Sequence, residues 1–270
     1  MATEFAGATD VGRKREHNED ALLLMPERSL EVVCDGMGGH EAGEVASRIG
    51  VETVKMFFEL ASNPQATWPF RYDRKLDEQG NLLSVAAQWA NQRIRVAGEA
   101  EGGKKRGLGT TFVACLVNEA AALPSPLDGS VGSAPGARAT FGWVGDSRGY
   151  LWRRGELHPA TSDHSLINEL IKTGRMTEEE IANFAHKNVI TRALGMADDT
   201  LVDINTFDLE PGDICLVCCD GLTGMLDDKG IAEILSGEPN LQAAADKLIA
   251  AANANGGVDN ITVGLARYAG

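Results

Sequence analysis

Apolar residues along the chain fall into two repeating patterns. Short runs enriched in β-branched residues and bounded by Gly, Asp or Asn predict strands at Phe5–Thr9, Ala21–Met25, Glu31–Cys34, Thr110–Val117, Ala139–Val144, Gly149–Trp152, Val202–Phe207, Ile214–Cys219 and Ile261–Ala266. Stripes at helical spacing, Val45, Ile49, Val54 and Phe57 in one segment and Val85, Ala86 and Trp89 in another, predict helices over Gly43–Leu60 and Leu82–Ala100. Two more helices are expected at about Lys229–Leu235 and Leu241–Ala252. Strands dominate both halves while helices come in pairs, and strict β-α alternation is absent. The expected class is therefore α+β, with antiparallel sheets covered by helices, rather than a doubly wound parallel sheet.

Polar segments refine this outline. Gly102–Gly109 and Pro124–Gly136, rich in Gly, Pro and Ser, read as surface connections. Asn63–Gly80 carries Trp68, Pro69, Phe70 and Tyr72, too aromatic for a plain linker, and is expected to be an elaborated loop with its own packing. Ser165–Gly195 reads as a small helical excursion, with Thr177 to Glu180 as a capping box.

At 270 residues and 43 % hydrophobic content, the chain suits one large domain or two small ones with a substantial core. Lys and Arg number 25 against 39 Asp and Glu, a formal net charge of −14. That sign argues against nonspecific nucleic-acid binding and against docking on anionic membranes. No apolar stretch approaches the roughly 18–20 residues that span a bilayer, and the start of the chain lacks a secretory layout. The chain reads as cytoplasmic. Its five cysteines, Cys34, Cys115, Cys215, Cys218 and Cys219, lie in apolar runs, as buried thiols in a reducing compartment do. Cys215 and Cys218 make a C-x-x-C, but residues three apart on a strand face opposite ways, so structural thiols are expected.

Two nucleotide-binding patterns fail on inspection. Gly36 to Glu41 follows a strand and precedes a helix but lacks the third glycine of a dinucleotide fingerprint. Gly98 to Lys104 fits G-x-x-x-x-G-K, yet the next residue is Lys105 rather than Ser or Thr.

Acidic residues beside strand ends survive this filter: Asp35-Gly36, Asp220-Gly221, Asp259-Asn260, Asp146, and Glu19-Asp20. Any one alone is an ordinary turn residue. Five gathered together would repel one another unless a cation neutralised them, and hard oxygen donors suit Mg²⁺ or Mn²⁺. His and Cys spacings do not suit zinc. Two divalent ions about 3.5–4 Å apart lower the pKa of a bridging water and clamp a phosphate. Arg15 is the candidate phosphate ligand, because guanidinium binds phosphate oxygens in bidentate fashion.

The segments TDVGRKREHNED (Thr9–Asp20), VCDGMGGHEAGEVAS (Val33–Ser47), GTT (Gly109–Thr111), VGDSR (Val144–Arg148), SDH (Ser162–His164), ITRALG (Ile190–Gly195), CDGL (Cys219–Leu222) and GGVDNITV (Gly256–Val263) carry a closer likeness. Together they resemble the metal-dependent protein phosphatases of the protein phosphatase 2C type in their compact bacterial form. The resemblance implies a single catalytic domain over residues 1–270, with a central β-sandwich of two antiparallel sheets flanked by helices. That is a four-layer αββα arrangement, with a small helical flap at about 165–195. It implies that Asp35 bridges two ions, with the Gly36 carbonyl on one and Asp220 and Asp259 on the other. Glu19 and Asp20 would act through metal-bound waters, Asp146 with Asp220 would hold a third ion, and Arg15 would bind phosphate.

A histidine follows the Asp-Gly pair in many eukaryotic relatives, whereas Met37 stands here; His40, three residues on, is the candidate general acid. Cys219 replaces a frequent serine. The implied reaction is hydrolysis of phosphoserine and phosphothreonine in proteins by direct attack of a metal-bridging hydroxide. Implied partners are the targets of a Ser/Thr protein kinase. A small-ester hydrolase and a catalytically silent phosphoprotein-binding module are the alternatives, and no C-x₅-R segment supports a cysteine phosphatase. No sensor, kinase or membrane segment is expected within these residues.

Overall fold

The computed structural model describes residues 3–38, 41–63, 65–100, 107–119, 137–174 and 189–270. The loop Pro124–Gly136, most of Gly102–Gly109 and the Thr177 to Glu180 capping box lie outside the described residues. The strands are β1 (Thr3–Asp10), β2 (Asp20–Met25), β3 (Leu30–Met37), β4 (Gly109–Thr110), β5 (Phe112–Glu119), β6 (Ala137–Val144), β7 (Arg148–Arg153), β8 (Glu156–Pro159), β9 (Asp203–Asp208), β10 (Ile214–Cys218) and β11 (Ile261–Tyr268). The helices are α1 (Glu41–Ala61), α2 (Glu78–Ala100), α3 (Leu166–Lys172), α4 (Asp220–Thr223), α5 (Asp228–Gly237) and α6 (Leu241–Ala254).

Antiparallel pairing gives one sheet in the order β1-β11-β10-β7-β8 and a second in the order β2-β3-β5-β6-β9, with β4 also paired to β3. Period-two alternation sorts the strand side chains to the two faces of each sheet. On β3, Val32 and Cys34 face the helices while Val33 faces the other sheet; on β10, Ile214, Leu216 and Cys218 face helices while Cys215 and Val217 face inward. Three apolar layers result. One lies between α1, α2 and the second sheet, one between the sheets, and one between the first sheet and α5 with α6. This is the αββα sandwich expected from the sequence.

Asp227 and Asn240 cap α5 and α6 by accepting from Gly230 N and Ala243 N at 2.8 Å each. All five cysteines are buried and free, and Cys215 and Cys218 point into different layers. The aromatic loop is structural: Trp68 meets Phe57 edge-on at 5.3 Å, and Trp68 and Phe70 pack against the α1–α2 layer. Asn81 anchors its far end, accepting from Asp73 N at 2.7 Å and donating to the carbonyls of Asp73, Leu76 and Asp77.

Several boundaries differ from the sequence reading. β3 runs on through Asp35 to Met37, because Gly36 and Met37 pair with Thr110 and Gly109. Asp35 is thus inside a strand rather than after one, as is Asp20, which begins β2. β10 stops at Cys218, and Cys219 is the N-cap position of the short α4. The four-residue edge strand β8, mostly exposed and closed by Pro159, has no apolar run to announce it.

Candidate metal centre

The inward faces of both sheets end in carboxylates at one edge of the sandwich. Asp20 and Asp35 are register partners on β2 and β3, directly opposite each other. Like charges placed this way on one sheet face are destabilising by themselves. Asp220, at the start of α4, and Asp259, just before β11, approach from the other sheet, and Asp146 sits in the β6–β7 turn. Arg15, Glu19, Asp35, Gly36, Asp146, Asp220 and Asp259 line a cleft of about 430 Å³, with Met37, Ile190 and Met196 on its apolar side. Asp20 lies behind Asp35. Its Oδ2 accepts from Thr262 Oγ1 at 2.7 Å.

Local bonding fixes the backbone that carries these groups. Asp35 N donates to Thr111 Oγ1 at 2.9 Å, and Asp35 O accepts from Thr111 N at 2.8 Å and Thr110 Oγ1 at 2.9 Å. Glu19 N donates to Asn260 Oδ1 at 2.8 Å, and Asn260 Nδ2 donates to Val11 O and His17 O at 2.9 Å each. One asparagine thereby ties the Arg15 loop, Glu19 and Asp259 together. Gly36 has no alternative residue: a Cβ there would stand 2.1 Å from Gly43 O and 2.5 Å from Glu19 O.

Electrostatics point the same way. Burial, then the charges of Asp20, Asp220, Asp146 and Asp259, hold the Asp35 carboxyl well above the ordinary range. Burial pushes Asp20 up to about 7 against the opposing hydrogen bonds from Thr262 and Cys219. Burial and then Asp220 push Asp146 up to about 7. Asp220 is raised by burial and then Asp259. Near neutral pH the metal-free cluster therefore retains protons on several carboxyls, which a divalent cation would displace. The donor set, hard oxygens from Asp20, Asp35, Asp146, Asp220 and Asp259 with the Gly36 carbonyl, fits Mg²⁺ or Mn²⁺. Arg15 is the cation at this rim, its NH2 donating to Asp259 Oδ2 at 2.6 Å.

A second cleft of about 470 Å³ shares Asp146, Asp220 and Asp259 and adds Arg148, Asp163, Ser165, Asn168 and Met225. It opens beneath the segment beginning at α3.

The sequence-expected residues Arg15, Glu19, Asp20, Asp35, Gly36, Asp146, Asp220 and Asp259 come together at this edge; His40 lies outside the described residues. Sequence reasoning missed Cys219 as a neighbour. Its Sγ lies within 4.8 Å of carboxylate oxygens of Asp20 and Asp35 and accepts from Thr262 N at 3.1 Å. It also gave no role to Asn260 or Thr111, although both stand inside the quoted motifs.

The protein phosphatase 2C family model matches residues 11–256. The chain belongs to the protein phosphatase 2C family. Within it, the chain is 34 % identical over 271 residues to the serine/threonine phosphatase stp of Listeria monocytogenes serotype 4b, covering 97 % of this chain and 94 % of that protein. It is 33 % identical over 273 residues to the protein phosphatase PhpP of Streptococcus pneumoniae, covering 97 % and 96 %. The Streptococcus agalactiae serine/threonine phosphatase structure superposes with a TM-score of 0.79 at 35 % identity over 100 % of both chains. The catalytic domain of PstP, solved with two manganese ions, superposes with a TM-score of 0.76 at 30 % identity over 99 % of both. As a protein phosphatase 2C member, the chain is a metal-dependent serine/threonine phosphatase.

Proposed function

We propose that this chain hydrolyses phosphoserine and phosphothreonine in proteins at the carboxylate edge of the sandwich, with Asp35 shared between two divalent ions. The Gly36 carbonyl would serve one ion, and Asp220 and Asp259 the other. Glu19 and Asp20 would act from the next layer out, and Asp146 with Asp220 would hold a third ion. The observation that carries the reading is the direct opposition of Asp20 and Asp35, with Asp220 and Asp259 converging from the other sheet. Without a cation that arrangement costs stability, through repulsion or through protons held on buried carboxyls.

When bound, a divalent pair supplies a water acidic enough to lose its proton near neutral pH and a positive clamp for phosphate oxygens. The chain's own residues supply the rest. Arg15, half exposed in the cleft lining beside Asp259, would offer a planar fork to two phosphate oxygens. Thr110 and Thr111 fix the Asp35 backbone, so the carboxylate is held before substrate arrives. Met37, Ile190 and Met196 contribute the apolar part of the cleft lining. His40 is assigned the leaving-group proton on its sequence position.

We extend the reading to substrates that are products of Ser/Thr protein kinases, and to a cytoplasmic setting, which five free buried thiols support. No helix among the described residues is long and apolar enough to cross a membrane.

The test is phosphate release from a phosphothreonine peptide with and without Mn²⁺, in the parent and in Asp35→Asn. Loss in the variant by more than the ~10–100-fold typical of outer-shell changes supports the assignment. Undiminished metal-dependent turnover in Asp35→Asn would remove it.

A further inference from the structure

His164 holds an unusual position in the fold. Its imidazole is 4 % exposed, stacked on Trp143 with ring centroids 6.1 Å apart and planes 20° from parallel. Nδ1 accepts from Gly145 N at 3.1 Å, so the ring hydrogen sits on Nε2, which faces Asp203 Oδ2 at 3.2 Å. Arg192 NH1 donates to the other oxygen of Asp203 at 3.1 Å. The backbone repeats the link: His164 N donates to Gly145 O, and Thr191 N donates to His164 O, each at 2.8 Å.

These contacts join three parts of the molecule. Gly145 precedes Asp146 in the turn. Its φ of +111° and a Cβ position 2.8 Å from Thr111 Cγ2 leave no room for another residue. Ser165 and Ile190 form an isolated bridge, so His164 and Arg192 sit at the two stems of the flap. Asp203 belongs to β9. One ring therefore touches the Asp146 turn on one side and, on the other, the carboxylate that Arg192 also engages.

We infer that His164 is a positioning residue that fixes the Asp146 turn through Gly145 and couples it to the flap stems through Asp203 and Arg192. The imidazole itself touches neither substrate nor ion. Because Asp146 lines both clefts, a shift of the flap stems reaches the carboxylate that serves them in common. The inference rests on the proposed role of Asp146 as a ligand of a third ion.

The two ring nitrogens allow a separable test. In H164N the amide oxygen takes the place of Nδ1 opposite Gly145 N but loses Asp203; in H164Q the longer side chain reaches toward Asp203 and abandons Gly145. Calorimetric titration of the chelator-stripped full chain with Mn²⁺ is compared with Asp146→Asn, which identifies the Asp146-dependent event. H164Q is expected to weaken that event about 10-fold, the scale of losing an outer-shell partner, with the other events within about twofold. H164N, which keeps the Gly145 bond but loses Asp203, is expected to weaken that event about threefold, less than the outer-shell scale because half the link survives. Asp203→Ala, which keeps the Gly145 bond but frees the ring, should match H164N at about threefold, and it carries the test should H164Q not fold.

Parental affinity for the Asp146-dependent event in H164Q, or in Asp203→Ala where H164Q does not fold, would overturn the inference. So would equal weakening of every event, the mark of general loosening. A parent that binds two ions with no Asp146-dependent event would remove the third-ion reading beneath the inference, while leaving the two-ion phosphatase intact.

Discussion

Replacing Glu31 by Met is expected to stabilise the protein, and by an amount that grows with pH. Glu31 is 0 % exposed on the inward face of β3, opposite Cys115 of β5, and neither carboxylate oxygen has a hydrogen-bond partner among the described residues. Its Oε2 lies 3.0 Å from where a Cβ on Gly264 would stand, so the carboxyl fills the gap left by that glycine. Burial, and secondarily Cys215, hold the group well above its ordinary 4.5. Between 4.5 and the raised folded value, the unfolded chain has released this proton while the folded chain keeps it. Stability then falls as pH rises, by about 1.4 kcal/mol per pH unit within that window. Methionine has a similar length and no proton to lose, so all other titrations cancel in the difference between variant and parent. A partnerless buried polar group adds a pH-independent cost of about 1–3 kcal/mol, which the variant also removes. For 270 residues the unfolding entropy is about 0.57 kcal/mol/K, so the gap in Tm should widen by about 2 °C per pH unit. Thermal unfolding followed by circular dichroism in EDTA, from pH 5 upward, measures this. A Tm difference that stays constant with pH would refute the raised carboxyl, and a less stable variant would refute the cost of burial.

Other expectations follow from the carboxylate edge. Asp20 and Asp146, each pushed up to about 7 from 3.8, make the metal-free fold lose stability as pH rises from about 4 toward 7. The gain in Tm on adding Mn²⁺ should therefore be larger at pH 7.5 than at pH 5.5, a difference that scanning fluorimetry resolves; equal gains would contradict it. Arg15→Ala should change stability by no more than about 1 kcal/mol, since its pair with Asp259 is half exposed, yet raise KM for a phosphopeptide, and Arg15→Lys should restore little of it. Gly36→Ala should abolish Mn²⁺ binding measured by calorimetry, because Gly43 O at 2.1 Å is backbone and cannot step aside without moving α1.

The apolar pattern located nearly every strand and both long helices because period two and period 3.6 report burial, and burial is decided locally. It placed Asp20 and Asp35 at strand ends because the apolar runs stop at Ala21 and Cys34, whereas the strands continue on cross-strand hydrogen bonds that no side-chain pattern records. Cys219 looked like strand for the opposite reason: it is buried, but at the head of a helix. The proposed metal-site residues stood out one at a time as acidic residues beside strand ends, several in Asp-Gly or Asp-Asn pairs, and gained meaning from their number. His164 and Asn260 were not legible as organisers. Their importance lies in pairing with Gly145, Asp203, Glu19 and Val11, contacts fixed by the sandwich and spaced widely along the chain. The burial of Glu31 was hidden because β3 is buried on both faces, so no alternation marks which side a polar residue takes.

Donors for the proposed ions come from opposite sheets: Asp20 and Asp35 from the second, Asp220 and Asp259 from segments attached to the first. β11 lies between β1 and β10, and Thr262 on it bonds to Asp20, 242 residues away in sequence. A cation seated there would work as a clasp between two surfaces that otherwise touch mainly through apolar side chains. Chemical competence is thus tied to assembly. A chain whose β11 has not yet slotted between its neighbours lacks Asp259 and Thr262 at the edge, and so would lack part of the proposed centre with which to strip phosphate from anything it meets.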